Sequence, residues 1–509
     1  MTRTKHSRRD FLKIAAATPF LAGGFSRTFE QLKLNAQDPS SPSFLIILFD
    51  AFSAKNASLY GYVRPTTPNI ERFAERGIVY HKYLSAGNFT TSSTASLLTG
   101  TYPWTHRAIH LHGFVEESTI PYNLFRQFSD KGYTRLGISH NLLVTSLLYQ
   151  FKEDLEIFKW PRDISLGDSE ISDWLFPRDY NTAFFGEKTM MPLDTDISGS
   201  LFLSILLSWA KGDKKRRLEQ RLKEEYPNGI SEQYGHFYIL ETAIEWMLQA
   251  IPQLPKPYLA YVHLLPPHEP YLPRKEFSDL FFDNWKPLRK PKGHFTQGNT
   301  QQFLNQNRRD YDSFIANVDA EFGRFIDTME ANGLLENTYV ILTSDHGELF
   351  ERGIRGHVTQ SLYQPVMQMP LIISRPGQTK REDVYVNTSC VDILPTLLHL
   401  AGIPVPDWCE GQVLPPFKDV VNPEERSLFT MEAKQNPKRG PFRKASFAIT
   451  CGNYKMMHYI GYEDDVPEYE MFDLEEDPEE LDDRISVDKG IAQELQDILQ
   501  EKIKEANQK

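Results

Sequence analysis

Apolar runs that end abruptly in polar residues recur along this chain of 509 residues. The first run, FLIILFD at residues 44–50, is unbroken up to Asp50, which is typical of a parallel strand covered on both faces. The segments LAYVHLLPPHEPY at 259–271 and NTYVILTSDHGE at 337–348 repeat this pattern, and MPLIISRPG at 369–377 predicts a further strand. These runs together predict one buried sheet.

Two segments between the runs have the spacing of helices. TPNIERFAERG at 67–77 places apolar residues three and four positions apart and ends in Gly77, and CVDILPTLLHLAG at 390–402 ends in Gly402. Strands that alternate with helices predict an α/β fold with a mostly parallel central sheet flanked by helices. In such folds ligands collect at the carboxyl ends of the strands.

Four polar residues follow the predicted strands, namely Asp50, His268, Asp345 and His346. Because the carboxyl ends of parallel strands meet at one edge of a sheet, we expect these side chains to lie close together. The adjacent Asp345 and His346 supply an oxygen and a nitrogen ligand suited to Mn²⁺, Zn²⁺ or Mg²⁺. The alternatives are a loop acid beside a surface histidine and, for Asp50, a helix cap or turn residue.

The pattern also predicts how the chain is divided. We expect a catalytic domain at 43–420, interrupted by an insert-like region at 150–240, and a small C-terminal α+β subdomain at 425–509. Within the insert, LFLSILLSWAKGDKKRRLEQRLKEE at 201–225 is apolar and then strongly basic. It predicts a core helix that runs into a solvated charged helix. The alternative is a helix that contacts a membrane surface or forms a lid over the substrate.

Composition excludes several classes of protein. The net charge of −12 argues against a nucleic-acid partner, because such proteins usually carry a basic face. A 40% share of apolar residues is ordinary for a globular protein, and no run approaches the roughly 18 apolar residues of a membrane-spanning helix. Three scattered cysteines predict buried thiols rather than a disulfide framework.

The N-terminal segment SRRDFLKIAAATPFLAGG resembles a bacterial twin-arginine export signal. Its paired arginines, Arg8 and Arg9, precede a short apolar run, and signal and spacer together occupy residues 1–37. The resemblance implies the twin-arginine export machinery as a partner and a periplasmic or secreted location. The alternative is a disordered basic tail.

A second motif, NFTTSSTASLLTG at 88–100, predicts a turn that leads into a helix. Together with FLIILFDAF, YGYVRPTTPNIERFAERGIVY, TASLLTGTYPWTH, PPHEPY, the long segment ending in TSDHGE, and VDILPTLLHLAGIPVP, it resembles the sulfatase branch of the alkaline phosphatase superfamily over residues 43–480. The resemblance implies an alkaline phosphatase-like fold and a metal-dependent esterase. It also implies a metal-bound nucleophile and an anionic sulfate or phosphate ester as substrate.

The chain departs from the usual sulfatase pattern at four places. Thr90 stands where sulfatases carry the cysteine or serine that becomes formylglycine, and threonine cannot undergo that conversion, so no formylglycine is expected. Thr94 replaces the arginine of the same turn, and Ala51 replaces a second aspartate after the first strand. A family lysine is also absent, and His140 and Asn141 lie near its place, where we expect them to contact substrate.

The residues that remain resemble the set used by phosphoethanolamine and phosphoglycerol transferases of the superfamily. The likeness implies one divalent metal, Mn, Zn, Mg or Ca, held by Asp50, Thr90, Asp345 and His346. A metal lowers the pKa of a hydroxyl group and so makes it a nucleophile, the role expected of Thr90. The alternative for Thr90 is a plain helix cap.

Three further histidines have candidate roles. His268 in PPHEPY matches a family histidine near the leaving-group oxygen and is expected to act as a general acid, the alternative being a structural histidine. His357 is expected to contact a substrate oxygen, or else to be a loop residue. His263 lies in an apolar run and is assigned to the core, with a place behind the metal ligands as the alternative.

The leading hypothesis is therefore an exported, single-metal hydrolase or transferase that acts on an anionic ester through Thr90, with a phosphoester favoured. The substrate class would be a small anionic ester or a glycan or lipid headgroup. The first alternative is a sulfuric ester hydrolase that works without formylglycine. The second is a catalytically silent relative that binds glycans, which has little need to keep the metal ligands.

Overall fold

The structure, a computed structural model, describes residues 41–166, 201–233, 236–419, 422 and 425–508. The predicted export signal at 1–37 and part of the predicted insert at 150–240 lie outside the described residues.

A central sheet organises the described part of the chain. Its strands are β1 (Ser43–Phe49), β2 (Ile78–Tyr80), β3 (Thr134–Ser139), β4 (Ile157–Phe158), β5 (Tyr258–Leu264), β6 (Thr338–Thr343), β7 (Leu371–Ser374) and β8 (Glu382–Val384). They are ordered β8-β2-β7-β6-β1-β5-β3-β4. β7 runs antiparallel to β2 and β6, and the other neighbouring pairs are parallel. The predicted α/β fold with a mostly parallel sheet is confirmed.

The centre of this sheet explains the unbroken apolar run at the start of the chain. β1 lies between β5 and β6, and all seven of its residues are buried. Alternate side chains of β1 enter two hydrophobic clusters, with Ile46 and Leu48 in one and Ile47 and Phe49 in the other. A strand covered on both faces has no polar side, so its sequence shows no alternation.

Helices cover both faces of the sheet. They are α1 (Pro68–Ala74), α2 (Thr90–Thr99), α3 (Leu142–Gln150), α4 (Leu201–Leu222), α5 (Leu240–Ala250), α6 (Gln301–Ala331), α7 (Ile393–Leu400) and α8 (Lys489–Gln508). Leu97 of α2 and Leu397 of α7 pack in the cluster that contains Leu48, whereas Ile244 of α5 and Phe322 of α6 pack in the cluster that contains Phe49. This three-layer arrangement leaves the strand ends open for function.

Short elements complete the described chain. Short helices span Pro103–His106, Leu124–Gln127 and Gln364–Met367. Turns of 3₁₀ helix span Ala54–Asn56, Ser58–Tyr60, Glu117–Thr119, Ser129–Lys131, Lys152–Asp154, Pro161–Ile164, Ile251–Gln253 and Cys390–Asp392. Short strands span Tyr83–Leu84, Ser231–Gln233, His236–Tyr238, Leu349–Glu351, Ile354–Gly356 and Thr388–Ser389.

A separate antiparallel sheet lies near the C-terminus. Its strands are β9 (Ser427–Glu432), β10 (Ala445–Cys451), β11 (Tyr454–Ile460) and β12 (Tyr469–Asp473), paired in chain order. β9 touches the segment that leads into α2, because Met431 bridges Gly87 and the Thr430 hydroxyl donates to the Ser85 carbonyl at 2.6 Å. The C-terminal sheet therefore borders the start of α2.

The basic segment of the predicted insert forms one helix, α4. Leu218 and Leu222 near its end pack with Tyr226 and Phe237 in a small hydrophobic cluster. Trp209, nearer its start, is 70% exposed. Across the described ranges, no helix combines the length and apolar character needed to cross a membrane.

Candidate active site

Polar residues gather where the central strands end. Asp50 directly follows β1 and Asp345 follows β6 by one residue, and both side chains are buried. The two loops are joined, because the Ala51 backbone N–H donates to Asp345 Oδ1 at 3.1 Å. Neighbouring parallel strands thus bring together carboxylates that are 295 positions apart in the sequence, since Asp345 stands at 345 and Asp50 at 50.

Each of the two carboxylates has one oxygen that accepts hydrogen bonds and one oxygen that has no hydrogen-bond partner among the described residues. Asp50 Oδ2 accepts hydrogen bonds from Asn141 Nδ2 at 2.6 Å and from His263 Nε2 at 3.1 Å. Asp345 Oδ1 accepts from the backbone N–H groups of Ala51 and His346. Asp50 Oδ1 and Asp345 Oδ2 have no hydrogen-bond partner among the described residues. Buried polar atoms are normally paired, so two orphaned oxygens in one place point to a cation.

His346 adds a nitrogen to these two oxygens. Its Nδ1 lies 3.0 Å from the Gly347 carbonyl, so Nδ1 carries the proton and Nε2 keeps its lone pair. That Nε2 lies 3.6 Å from Asp50 Oδ1, 3.5 Å from Asp345 Oδ2 and 3.2 Å from Thr90 Oγ1. Ligands bound at about 2.1 Å in a tetrahedral site lie roughly 3.4 Å apart. The donor set and its spacing therefore fit one divalent cation.

Thr90 is the first residue of α2 rather than the residue before it. Phe89 holds the N-cap position with an extended backbone and makes no side-chain capping bond. The described hydrogen bond of the Thr90 hydroxyl is the one to His346, so the capping alternative is not the contact that the structure shows. The unpaired N–H groups and dipole at the start of α2 favour a bound anion at this point.

His268 and His357 line the same part of the site. The His357 ring lies 4.2 Å from the His346 ring and 5.0 Å from the His268 ring, measured between ring centroids. His357 Nδ1 lies 3.0 Å from Glu348 Oε1, which fixes the orientation of the ring. His268 follows β5, and its Nδ1 lies 2.7 Å from the Glu269 carbonyl. The structure thus brings both predicted histidines beside the candidate metal ligands.

Burial and neighbouring charges set the pKa values of these groups. Burial lowers the pKa of His357 to about 3, and the positive charge of His268 acts in the same direction. Burial alone also lowers the pKa of His268, but the carboxylates of Asp50 and Glu348 outweigh it and hold that pKa above its ordinary value. Burial raises the pKa of Glu348 to about 7. Of the two histidines, His268 is the one that more readily carries a second proton.

The two aspartates are affected in opposite ways. Burial raises the pKa of Asp345, and the negative charge of Asp50 raises it further. Burial acts to raise the pKa of Asp50 too, but the hydrogen bond from His263 and the surrounding histidines hold it well below its ordinary range. The two carboxylates repel each other in this geometry, which a cation between them would relieve.

The predicted substrate residues His140 and Asn141 have other contacts. Asn141 Oδ1 accepts from the Leu143 backbone N–H at 2.8 Å at the start of α3, while its Nδ2 donates to Asp50. His140 Nε2 donates to the Ile164 carbonyl at 3.1 Å. Burial lowers the pKa of His140 to about 4. In this structure Asn141 orients Asp50, and a substrate contact of either residue stays a prediction.

His263 is the site residue that the sequence pattern assigns to the core. It is fully buried, as its assignment to the core requires, yet its Nε2 binds Asp50 and lies 3.9 Å from Asp345 Oδ2. Asp50, His263 and Asp345 together form a group that could hold a metal ion. The available signal was a single polar residue inside an otherwise apolar strand, and it gains meaning only from the pairing of His263 with Leu48 next to Asp50.

Comparison with known proteins shows which family this chain belongs to. A sequence model of the Sulfatase family matches residues 42–403, and a model described as N-sulphoglucosamine sulphohydrolase, C-terminal, matches residues 357–509. Arylsulfatase K of Xenopus laevis is 28% identical over 275 residues, which cover 48% of this chain and 51% of that protein. Ulvan-active sulfatase of Formosa agariphila is 25% identical over 391 residues, 74% of this chain and 65% of that protein.

The chain thus spans about half to two thirds of the length of these curated relatives. Among solved structures, phosphonate monoester hydrolase from Silicibacter pomeroyi has a similar fold, with a TM-score of 0.63, 18% identity, and coverage of 91% of this chain and 95% of that one. Because the family model spans residues 42–403, more than half of the chain, this protein belongs to the sulfatase family.

Proposed function

We propose that this protein is a metal-dependent enzyme that cleaves an anionic ester, a phosphoester in preference to a sulfate ester, with Thr90 Oγ1 as the nucleophile. One observation carries the proposal: the Thr90 hydroxyl lies 3.2 Å from His346 Nε2, beside the orphaned oxygens of Asp50 and Asp345. A hydroxyl placed against a set of metal ligands at a helix start is arranged for attack on an anion.

The residues present fit a divalent cation held by Asp50, Asp345, His346 and Thr90, with His263 in reach of the same carboxylates. When bound, the cation supplies Lewis-acid chemistry and lowers the pKa of a hydroxyl group. Hydrogen bonds within the chain already orient the ligands, because the Gly347 carbonyl fixes the tautomer of His346. Asn141 and His263 likewise hold Asp50 Oδ2, so that Oδ1 faces the site.

The reaction then follows from the positions of the side chains. Thr90 Oγ1 gives up its proton to water and forms a bond to the phosphorus or sulfur atom, and the bond to the leaving oxygen breaks. His268 donates a proton to that leaving oxygen, and the start of α2 stabilises the charge on the transferred group. Water or an alcohol then takes the group, its proton returns to Thr90 Oγ1 as the bond to that oxygen breaks, and a hydrolase or transferase cycle is complete. His357, oriented by Glu348, contacts an oxygen of the substrate.

Two sets of observations bear on the choice between phosphate and sulfate. Thr94 and Ala51, in place of an arginine and an aspartate of typical sulfatases, favour the phosphoester. The relatives, however, are named sulfatases, and these names favour a sulfate ester as the second candidate. The structural neighbour named phosphonate monoester hydrolase supports the fold alone at its identity of 18%.

The nucleophile is tested with two substitutions at one position. In Thr90→Ala, which removes the hydroxyl, turnover of every ester should fall at least about 1000-fold, because the covalent step is lost. Thr90→Ser keeps a hydroxyl and should retain turnover within about tenfold of the unmodified protein. Thr99→Ala, the same change at the far end of α2, is the matched control. Full turnover by Thr90→Ala would end the proposal.

The ester is identified by assaying the metal-loaded protein side by side on 4-nitrophenyl sulfate, bis(4-nitrophenyl) phosphate and a phenylphosphonate ester. We expect the phosphodiester to be cleaved fastest and the mass of the Thr90 peptide to lack any formylglycine. Faster cleavage of the sulfate would establish the second candidate. No turnover of any ester, with the ligands saturated by Mn²⁺ or Zn²⁺, would favour a glycan-binding relative.

The proposal includes export through the twin-arginine machinery. Arg8 and Arg9 before the apolar run support it, and this route carries folded proteins, which suits an enzyme that receives its metal first. Replacing both arginines by lysine in a producing bacterium should leave the protein in the cytoplasm. Equal export of both forms would contradict this part.

A further inference from the structure

A cavity lies close to the segment that carries Thr90. It has a volume of about 430 Å³ and is lined by the loop 110–114 on one side and by Lys434 and Lys438 on the other. Small-molecule sites in proteins range from about 300 to 1,000 Å³. The cavity is therefore large enough for a sugar unit and its substituents, and far larger than an isolated tetrahedral anion requires.

Hydrogen bonds tie this cavity to the turn that carries Thr90. The Thr91 hydroxyl donates to the carbonyl of Leu111 in the loop 110–114. On the opposite wall, Lys434 Nζ donates to the Thr359 carbonyl at 3.2 Å, and the same carbonyl accepts from Asn88 Nδ2 at 2.6 Å. Thr91 and Asn88 flank Thr90, so both walls of the cavity are attached to the residues around the proposed nucleophile.

The lysines give this cavity a positive side. Lys434 is paired with Glu432 Oε1 at 2.9 Å. Lys438 is 38% exposed, donates one hydrogen bond to the Val115 carbonyl at 3.3 Å, and lies 3.9 Å from Glu116 Oε2, which is a long ion pair. Glu116 is held chiefly by Arg439, and that hydrogen bond lowers the pKa of Glu116. Lys438 therefore keeps donor capacity that a negatively charged ligand could use.

The remaining wall is suited to the ring of a sugar. Phe114 is 38% exposed and lies with Leu111 along the loop, so the cavity offers an apolar surface beside its lysines. His110 is fixed there, because its Nε2 lies 2.7 Å from the Asn436 carbonyl. An apolar face beside fixed polar groups is the usual composition of a site for a small ligand, and a sugar ring with a charged substituent matches both parts.

We propose that this cavity binds a second anionic group of the substrate, carried on a sugar unit next to the ester that Thr90 attacks. The preferred substrate is then a glycan ester with at least two negatively charged groups, one at Thr90 and one at Lys438. This inference rests on the proposed function for its first group, and the cavity supplies the second.

The test measures binding rather than turnover. Calorimetry with metal-loaded protein compares glucosamine 6-sulfate with glucosamine 2-N,6-O-disulfate, at low and at high salt. The unmodified protein should bind the disulfate at least about tenfold more tightly, and salt should weaken this preference because it screens charges. Lys438→Gln should reduce the preference to about twofold, and Lys438→Glu should reverse it.

Lys444→Gln is the matched control, because Lys444 lies in the same C-terminal region, paired with Glu463, and does not line the cavity. An unchanged preference in Lys438→Gln, or an unmodified protein that binds both sugars equally or not at all, would overturn the inference. Binding that depends on Lys438 without turnover of any ester would overturn the proposed function alone. Turnover that depends on Thr90 without a role for Lys438 would overturn the cavity alone.

Discussion

Asp50 and Asp312 are both completely buried, yet their surroundings differ. Asp312 Oδ1 accepts from Asn56 Nδ2 at 2.8 Å, and its Oδ2 accepts from the Tyr62 hydroxyl at 2.6 Å and from Arg64 Nη1 at 2.7 Å. Both of its oxygens are occupied and its charge is paired. Asp50 has histidine and asparagine donors on one oxygen only, and its other oxygen, like the orphaned oxygen of Asp345, lies within 3.6 Å of His346 Nε2.

The difference separates a structural cluster, that of Asp312 with Asn56, Tyr62 and Arg64, from a functional cluster, that of Asp50 and Asp345. An unsatisfied buried polar atom costs about 1–3 kcal/mol, so the pair of orphaned oxygens at Asp50 and Asp345 destabilises the chain on its own. A cluster such as that of Asp312 with Arg64 serves the fold, because both carboxylate oxygens of Asp312 already have partners. Burial and charge alone therefore do not identify an active site, whereas two carboxylate oxygens without partners beside one imidazole nitrogen do.

The largest effect is expected from Asp345→Asn, which breaks the functional cluster. Activity should fall at least about 100-fold and bound metal should be lost, since even the partners of metal ligands contribute 10- to 100-fold. Without metal, however, the variant should melt at the same temperature or higher. The new amide keeps the acceptor for Ala51 and can donate to Asp50 Oδ1, which also ends the repulsion between two carboxylates.

Calorimetric melting with and without added Mn²⁺, together with metal analysis, measures both effects. Asp327→Asn, in an exposed ion pair with Arg72, is the control. A metal-free Asp345→Asn protein that melts well below the unmodified metal-free protein would place Asp345 with the structural clusters.

A second prediction breaks the structural cluster instead. Asp312→Ala should lower the free energy of unfolding by about 3 kcal/mol, the lower end of the range for breaking a buried pair. The lower end applies because Arg64 keeps Asp283, whose carboxylate lies 2.7 Å from Arg64 Nη2. Urea titration measures the loss, and activity per folded molecule should persist. A loss of activity without a loss of stability would contradict the comparison.

Part of this contrast is visible in the sequence. The apolar runs before Asp50 and Asp345 and the predicted α/β order were enough to expect the two loops at one sheet edge, because parallel strands all end on the same side. The identity of Thr90 as the residue facing His346 came from the motif around it. From the spacing of apolar residues in α2 alone, Thr90 would have been interpreted as an ordinary helix cap.

Other parts needed the three-dimensional structure. His263 is indistinguishable from a core residue until the pairing of β1 with β5 places it beside Asp50. The antiparallel direction of β7 also has no signature in its short apolar run. The cavity beside Thr90 combines loop 110–114 with Lys438, which lie on separate segments and share no motif. Local patterns carry no information about such long-range contacts.

A third prediction uses a fully partnered buried group that titrates. His106 Nδ1 accepts from the Ala108 backbone N–H at 3.0 Å, so Nε2 carries the proton and donates to the Ser96 hydroxyl of α2 at 2.9 Å. Burial, reinforced by the charge of Arg107, lowers the pKa of His106 to about 3. The unfolded chain takes up a proton below about pH 6.5, whereas the folded chain does so only near that lower value.

The contribution of His106 to the free energy of unfolding therefore has its full value above about pH 6.5. It is lost as the pH falls from there toward 3. At pH 5 the loss relative to pH 7 should be about 2 kcal/mol. His106→Gln should flatten the pH dependence of unfolding over this range by that amount, and His399→Gln, which removes an exposed imidazole from α7, is the control. Equal slopes in the unmodified protein and in His106→Gln would show that the pKa of His106 is the same in the folded and in the unfolded chain.

The smallest effect is expected where the same chemistry lies at the surface. Arg72 and Asp327 form an ion pair of 2.8 Å, close to the 2.7 Å between Arg64 and Asp312, but their side chains are 51% and 58% exposed. Water and salt screen such a pair, so Asp327→Ala should cost about 0–1 kcal/mol and less in high salt. Urea titrations of Asp327→Ala and Asp312→Ala compare them directly. Equal losses would mean that geometry rather than burial sets the strength of these pairs.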